Sequence, residues 1–101
     1  MAVTVVATLK VKPGLADTVL EAMTAMLPET RAYAGCLGVD VVEGVDDPNT
    51  ILLLEEWETP ESQQAYLQWR AESGALTQMA EVLAEPPTFV HYAQRRDVHW
   101  G

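Results

Sequence analysis

The sequence predicts an α+β fold of the ferredoxin-like type, with its elements in the order β-α-β-β-α-β. The first observation behind this prediction is that β-branched apolar segments alternate along the chain with segments of helical periodicity. The second is a turn-rich stretch between the two central strands, which indicates a hairpin. The length of 101 residues fits a single domain over residues 1–101.

The N-terminal third predicts a strand followed by a helix. Residues Ala2–Lys12 are β-branched and largely apolar, and a Pro-Gly pair ends this strand. From Leu15–Ala34, apolar residues recur at three- and four-residue steps, which is the period of a helix. Pro28 is expected to kink this helix or to begin a second short segment. Gly35 is the natural end of the helix.

The central part predicts the hairpin. Cys36–Val45 alternates loosely and Thr50–Trp57 is strongly apolar, so both are predicted to be strands. The intervening turn, DDPN at Asp46–Asn49, has the residue types of a tight connection. The run Ile51–Leu54 is apolar on both faces, which indicates a strand that is covered on both sides.

The C-terminal part predicts a second helix and a last strand. Thr59 is a hydroxyl N-cap followed by a proline, which is a strong helix start. The stretch Glu72–Gly74 is expected to break or bend this helix, which then continues through Leu83 until a proline pair ends it. Thr88–Arg95 is the last strand. One face of that strand is expected to carry Phe89, His91 and Ala93.

The second face of the predicted sheet indicates self-association. Helices that cover one face of such a sheet leave its other face apolar and uncovered. Strands that are apolar on both faces therefore need a second covering layer. Another copy of the same chain is the simplest source of that layer, so the pattern predicts a homodimer.

The composition restricts the partners and the location. The formal charge is −9, from 15 acidic and 6 basic residues, and this charge repels phosphate backbones and anionic lipid. No nucleic-acid or membrane partner is therefore expected, and the apolar runs are far shorter than a bilayer span. Cys36 is the only cysteine, so no intrachain disulfide is expected. The lack of a predicted signal peptide favours a cytoplasmic location.

Three stretches form a recognisable combination: VVATLKVKPG at the start, TRAYAGCLGVDVVEGVDDPNTILLLEEWETPES in the middle, and the final strand. The most specific parts are the Gly35–Leu37 corner, the Asp46–Asn49 turn and Glu55–Trp57. This combination resembles the antibiotic biosynthesis monooxygenase domain over nearly the whole chain. The resemblance implies a dimeric α+β barrel, in which two sheets lie back to back and each subunit holds a pocket between its sheet and its helices.

The best-known proteins of this family are cofactor-independent oxygenases of aromatic polyketides and quinols. Others degrade haem, isomerise small signalling molecules or have no assigned substrate, so the family predicts the fold better than the reaction. This chain departs from many members by carrying Tyr66 where they have a histidine. The haem-degrading branch uses an asparagine on the first strand and a helix histidine. The matching residues here, Ala7 and Leu67, are apolar, which argues against haem degradation.

Three aromatic side chains are the predicted substrate-binding residues. Trp57 offers a flat π surface and an N–H donor at the end of a strand. Tyr66 and Trp69 lie three residues apart on the helix that is expected to cover it. Together these rings would sandwich an aromatic substrate, with the Tyr66 hydroxyl bonding a phenol or quinone oxygen. The alternative for each ring is ordinary packing between the helix and the sheet.

His91 and Glu55 are the predicted catalytic residues. A histidine, with an unperturbed pKa of roughly 6.5, suits a base that removes a phenolic proton near neutral pH. The alternative is a strand histidine with one satisfied hydrogen bond. Glu55 and Glu56 point to opposite faces of their strand, so they cannot act as a close pair. A helix-side Glu55 could have a raised pKa and serve as the base, or it could form an ion pair with Arg31 or Arg70.

No metal or cofactor is expected. The sequence contains none of the cysteine and histidine spacings of a zinc site and no glycine-rich phosphate loop. Cys36 has no histidine near it in sequence and is predicted to be a buried small side chain. His99, in the C-terminal tail, is expected to be solvated or to lie at the dimer contact.

The leading hypothesis is a cofactor-independent monooxygenase that oxidises a small quinol- or anthrone-like aromatic substrate with O₂. Such a substrate supplies the electron itself once it is deprotonated, so the protein needs only to bind the ring, accept the proton and exclude water. A second hypothesis is a non-oxygenase of the same fold, either an isomerase or a ligand-binding dimer. A third is a purely structural or regulatory dimer whose space beside Trp57 is filled with side chains.

Overall fold

The computed structural model describes residues 2–98, and His99, for which a tail position is predicted, lies outside this range. The elements are β1 (Val3–Lys10), α1 (Ala16–Ala32), β2 (Cys36–Glu43), β3 (Thr50–Trp57), α2 (Pro60–Glu72), α3 (Ala75–Ala80) and β4 (Thr88–Ala93). The strands form one antiparallel sheet in the order β2-β3-β1-β4. The predicted ferredoxin-like α+β fold is therefore confirmed. Within residues 2–98, no helix is long and apolar enough to cross a membrane.

Strand β1 lies inside the sheet, and its side chains alternate between two environments. Its helix-facing residues are buried: Val3, Val5, Ala7 and Leu9. The residues between them point to the other face and are half-buried. The register places Glu55 of β3 and His91 of β4 on either side of Val5. Both predicted catalytic residues therefore lie on the helix-covered face of the sheet, with β1 between them.

Helix α1 runs as one element through Pro28, so the predicted alternative of a second segment is wrong. A proline inside a helix removes a backbone hydrogen bond, but tertiary packing supplies most of the stability of a helix in a protein. The buried residues of α1 follow the predicted period: Val19, Met23, Leu27 and Thr30. The apolar ones all precede Pro28 and pack in one cluster with Leu9 and Ile51 of the sheet. After the proline, the Thr30 hydroxyl lies 2.6 Å from the Tyr66 hydroxyl and holds the end of the helix.

Helix α3 ends at Ala80, so the predicted continuation of the helix through Leu83 is wrong. The chain instead forms a bridge between Leu83 and Val11, with backbone hydrogen bonds of 2.9 and 2.7 Å on either side. The Leu83 side chain is buried there. Pairing with the end of the first strand therefore outcompetes the helical period that the sequence shows.

The start of α2 is held against the turn that follows α1. Thr59 accepts a hydrogen bond from the backbone N–H of Ser62 at 3.1 Å, so the predicted N-cap is confirmed. The backbone N–H of Glu58 donates to the carbonyl of Gly35 at 2.8 Å. Gly35 has a φ of +89°, and a β-carbon at this position would collide with the Ser62 side chain. Glycine is required at this corner for its backbone conformation and for its missing side chain.

The second face of the sheet has no covering layer within residues 2–98. Its large apolar side chains are at least 36% exposed at four positions: Val42, Leu54, Val90 and Tyr92. The sheet is open and does not close into a barrel within one chain. Within residues 2–98, β3 is therefore covered by helices on one side only.

Candidate functional site

A cavity of about 70 Å³ lies between the sheet and all three helices. Most of its wall is apolar, with contributions from Leu9, Met23, Met26, Leu27, Leu53, Leu67, Leu76, Met79, Pro87 and Phe89. Thr30, Glu55, Tyr66 and Arg70 are its polar lining residues. An apolar enclosure with a few convergent polar groups is the usual composition of a small-molecule site. This volume is well below the roughly 300–1,000 Å³ of common ligand pockets, so a ring-sized ligand requires the wall to move.

Methionine side chains form the movable part of that wall. A groove of about 130 Å³ runs between α1 and α3 on the outside of the cavity. Met26 and Met79 line both the cavity and the groove, so they separate the two spaces. Methionine is unbranched and adapts its shape readily. A rotation of either side chain therefore enlarges the cavity toward the groove.

Arg70 is the centre of the polar part of the cavity. Its Nε donates to the Tyr66 hydroxyl at 2.8 Å, and its Nη2 donates to Thr30 Oγ1 at 3.2 Å and to the Met26 carbonyl at 3.1 Å. The Tyr66 and Thr30 hydroxyls are themselves 2.6 Å apart. These hydrogen bonds connect α2 to α1 at the cavity wall.

Arg70 is buried at 6% exposure, yet its charge has only a distant carboxylate partner. The nearest one is Glu29, whose Oε1 lies 3.8 Å from Nη1 and whose side chain is 61% exposed. The guanidinium also lies over the rings of Trp69 and Tyr66, at 4.6 and 5.3 Å from their centroids. Aromatic faces stabilise a cation in this position. The cavity wall thus contains a positive charge that is held mainly by neutral groups.

Glu55 lies on the helix-covered face, as predicted, and is 3% exposed. Its Oε1 accepts a hydrogen bond from Trp57 Nε1 at 2.8 Å. Burial raises the pKa of Glu55 above its ordinary value of 4.5, and the bond from Trp57 offsets part of this increase. The predicted alternative, an ion pair with Arg31 or Arg70, is wrong. Arg31 instead donates to the Val39 carbonyl at 3.1 Å.

The predicted aromatic residues are brought together, but around a fourth ring and not around an open space. Tyr33, the residue directly after α1, lies with its ring centroid 6.4 Å from Trp57, 5.3 Å from Tyr66 and 5.4 Å from Trp69. Trp57 and Tyr66 are 5.3 Å apart, and Tyr66 and Trp69 are 6.0 Å apart. We call these four residues the aromatic cluster. Of its rings, Tyr66 alone lines the cavity, and Trp57 is fully buried.

His91 lies apart from the cavity. It is exposed on β4, and its Nε2 is 2.9 Å from Oε1 of Gln63 of α2. Gln63 is fully buried, and its Nε2 has no hydrogen-bond partner among the described residues. Because Val5 separates His91 from Glu55, the two residues are two strand spacings apart, roughly 10 Å. They cannot act on the same proton.

Sequence reasoning missed Thr30, Tyr33 and Arg70 as parts of the site. Arg70 follows Tyr66 by one helical turn, and this spacing is a signal that could have identified it. Thr30 lies in the last turn of α1 and Tyr33 directly after it, and no local pattern indicates that they face α2. Among the described residues, no group of three or more His, Cys, Asp or Glu side chains is placed to hold a metal ion.

The fold and the cavity define a class of protein: a small ferredoxin-like α+β chain with an apolar site beneath its helices. The sequence profile of the family described as antibiotic biosynthesis monooxygenase matches residues 2–81 of this chain. The match covers well over half of the 101 residues. The chain therefore belongs to the antibiotic biosynthesis monooxygenase family, and the resemblance seen in the sequence is confirmed.

Solved structures support the same fold. A conserved protein from Methanosarcina mazei is 22% identical with a TM-score of 0.83, and the match covers 94% of each chain. A Mycobacterium tuberculosis protein, Rv0793, is 27% identical with a TM-score of 0.72, covering 94% of this chain and 96% of that one. A Deinococcus radiodurans protein described as a candidate antibiotic biosynthesis monooxygenase is 18% identical with a TM-score of 0.83, covering 100% and 99%. No curated protein matches the chain significantly.

Proposed function

We propose that the chain is a cofactor-independent monooxygenase that oxidises a small quinol- or anthrone-like aromatic substrate with O₂. One observation carries this proposal: a buried carboxyl group, Glu55, lines an apolar cavity beneath the helices. Membership of the antibiotic biosynthesis monooxygenase family supports the oxygenase reading. The reaction needs a base, a dry space and a substrate that supplies its own electrons. Glu55 is proposed as the base, and the mostly apolar lining of the cavity supports the exclusion of water.

The reaction balances with Glu55 as the only proton carrier. The ionised carboxylate removes a proton from the reacting C–H of an anthrone, and the resulting anion transfers one electron to O₂. Superoxide and the substrate radical then combine into a carbon-bound peroxide, which takes the proton back from Glu55. Loss of water leaves a carbonyl at the reacting carbon. One oxygen atom enters the product and the other leaves as water, so no external reductant is required.

The raised pKa of Glu55 matches this cycle because a group that gives a proton back must not be a strong acid. Trp57 is proposed to act on Glu55 by holding its carboxyl oxygen at 2.8 Å. Tyr66 is proposed to contact the substrate from the cavity wall, and Trp69 to support Arg70 and Tyr66 from behind. His91 stays the alternative base, but the proton is assigned to Glu55, which lines the cavity.

We also propose that two copies of the chain cover each other's open sheet faces. The exposed side chains Val42, Leu54, Val90 and Tyr92 support this arrangement, since exposed apolar side chains grouped on one sheet face mark an interaction surface. The dimeric α+β barrel that the sequence predicts would follow from it. Molar mass from light scattering tests the assembly, and a stable monomer at all concentrations would contradict it. A cytoplasmic location stays a prediction of the sequence.

Oxygen consumption with menadiol and with anthrone tests the activity. We expect uptake above the rate of the buffer with at least one of them, and a loss of roughly 10²–10⁴-fold in Glu55→Gln. Glu58→Gln is the matched control, because Glu58 is exposed beyond the end of β3 and its side chain does not line the cavity. Uptake equal to the buffer rate with both substrates would contradict the proposal.

The alternative function is a non-oxygenase isomerase or a ligand-binding dimer of the same fold. The same buried carboxyl group favours it as a candidate, because proton transfer within a dry cavity can also move a double bond without O₂. It predicts a bound small molecule with no oxygen consumption. Mass spectrometry of material released by denaturing the purified protein distinguishes it from the oxygenase.

A further inference from the structure

Arg70 lines the cavity, and one nitrogen of its guanidinium, Nη1, makes no hydrogen bond within residues 2–98. Its Nε and Nη2 are occupied by Tyr66, Thr30 and the Met26 carbonyl. Its Nη1 has one contact among the described side chains, the 3.8 Å approach of Glu29, which exceeds hydrogen-bond length. The N–H groups of Nη1 therefore have no close acceptor within residues 2–98.

The charge of Arg70 is also balanced only weakly in the interior, by Glu29 at 3.8 Å. A buried charge is costly unless an opposite charge with good geometry accompanies it. The close partners here are a phenol, a threonine hydroxyl and a backbone carbonyl, all neutral. The carboxyl side chain that also lines the cavity, Glu55, makes no ion pair with Arg70. An anion that entered the cavity would supply the missing partner.

We propose that the cavity binds a small organic anion, a carboxylate, enolate or phenolate, whose charged oxygen pairs with Arg70. The inference deepens the proposed function, since it rests on the cavity being a ligand site, but it does not depend on oxidation by O₂. The apolar body of the anion lies among the methionine and leucine side chains. Tyr66 and Thr30 position Arg70 by holding its Nε and Nη2 in place.

The geometry also limits the ligand to a single negative charge. Arg70 is the only basic residue among the described residues that line the cavity. The other lining residues carry no positive charge, and the whole chain has a formal charge of −9. A second negative group would have no partner and would be repelled by the protein as a whole. Nucleotides and other polyanions are therefore disfavoured, and a small monoanion with an apolar body is the best match to the cavity.

Benzoate and benzamide are suitable probes, because they share one ring and differ in charge. Isothermal titration calorimetry of the full chain should show that benzoate binds more tightly than benzamide. In Arg70→Met, benzoate affinity should fall roughly tenfold to a hundredfold, the effect of losing a hydrogen bond to a charged group, while benzamide affinity changes little. Arg31→Met is the matched control, because Arg31 does not line the cavity and should leave both affinities unchanged.

Arg70→Lys keeps the charge and serves if Arg70→Met does not fold. It should retain the preference for benzoate at reduced affinity, since an ammonium cannot form the same fork of hydrogen bonds. Equal binding of benzoate and benzamide by the unmodified protein would overturn the anion inference and leave the cavity as a ligand site. No binding of either probe would overturn both. A clear benzoate preference without oxygen uptake would support the inference while the oxygenase proposal fails.

Discussion

The aromatic cluster and the cavity lie side by side beneath α2, and they differ in what fills them. The cluster contains Tyr33, Trp57 and Trp69 in direct ring contact, with Trp57 fully buried. The cavity beside it is lined mostly by leucine and methionine and leaves about 70 Å³ open. Tyr66 belongs to both regions. The aromatic residues that the sequence suggests as a substrate site thus pack mainly against each other. The open cavity is lined mostly by aliphatic side chains instead.

The difference has a physical basis in the shape of the side chains. Flat rings stack edge-to-face or tilted at centroid distances of about 5–6 Å and leave little room between them. Flexible aliphatic side chains contributed by several elements enclose space whose size depends on their rotamers. Rings that stack on each other therefore stabilise the fold, and aliphatic walls accommodate a ligand.

The largest effect is expected from Trp57→Ala, which breaks the cluster. Removing a fully buried tryptophan costs about 3–5 kcal/mol in unfolding free energy. Urea denaturation followed by circular dichroism measures it. Trp57→Phe retains a ring but removes the donor to Glu55 and should cost less, about 1–3 kcal/mol. A loss below about 1 kcal/mol in Trp57→Ala would show that the ring is not the support described here.

A smaller effect is expected at Glu55, where the cluster and the cavity meet. Its pKa is raised in the folded protein, so between its ordinary and its raised pKa the folded state binds more protons than the unfolded state. Stability from this group is therefore greatest at low pH and falls as pH rises from about 4.5 through the raised pKa, by at most about 1.4 kcal/mol per pH unit.

Glu55→Gln does not titrate, so it isolates that contribution. Unfolding free energies of the two proteins should be compared from about pH 4 to about pH 8, where the other carboxyl groups cancel in the difference. The original protein should lose stability relative to the variant as pH rises. A difference that is flat or that changes in the opposite direction would mean that Glu55 ionises freely.

The smallest effect on stability is expected at Met79, in the aliphatic wall. Met79 is half-buried between the cavity and the outer groove, so Met79→Ala should cost about 1–2 kcal/mol, less than a fully buried methionine. It should join the two spaces and improve the binding of 1-naphthoate relative to benzoate in calorimetry. Gln78→Ala is the control, because Gln78 lines the groove only. An unchanged ratio of affinities would show that Met79 does not separate the spaces.

Much of the fold was predictable because it depends on local patterns. The alternation along β1, the hairpin and the Thr59 cap all follow from neighbouring residues, and each agrees with the structure. The same period-two reasoning placed Glu55 on the helix side. The predicted end of the helix at Leu83 was wrong, because Leu83 instead forms a bridge with Val11, and these two residues are distant in sequence.

The candidate site was predictable in part only. The closeness of Trp57, Tyr66 and Trp69 followed from their places on β3 and α2. The packing between these rings could not be predicted, because the ring that contacts them, Tyr33, comes from the end of α1. Likewise, the neutral surroundings of Arg70 depend on Thr30 of α1. Volumes and charge balance are sums over several elements, and no single stretch of sequence contains them.

Gly35 gives this arrangement an unexpected sensitivity. Its missing β-carbon is what lets the first turn of α2 approach the corner after α1. Arg70 lies eight residues beyond Ser62 on the same helix, about 12 Å along its axis at 1.5 Å per residue. A helix moves as a nearly rigid rod, so a displacement at its beginning would also move the Arg70 guanidinium relative to the Thr30 hydroxyl of α1. Gly35 does not line the cavity, yet it influences the position of Arg70 in the cavity wall through α2.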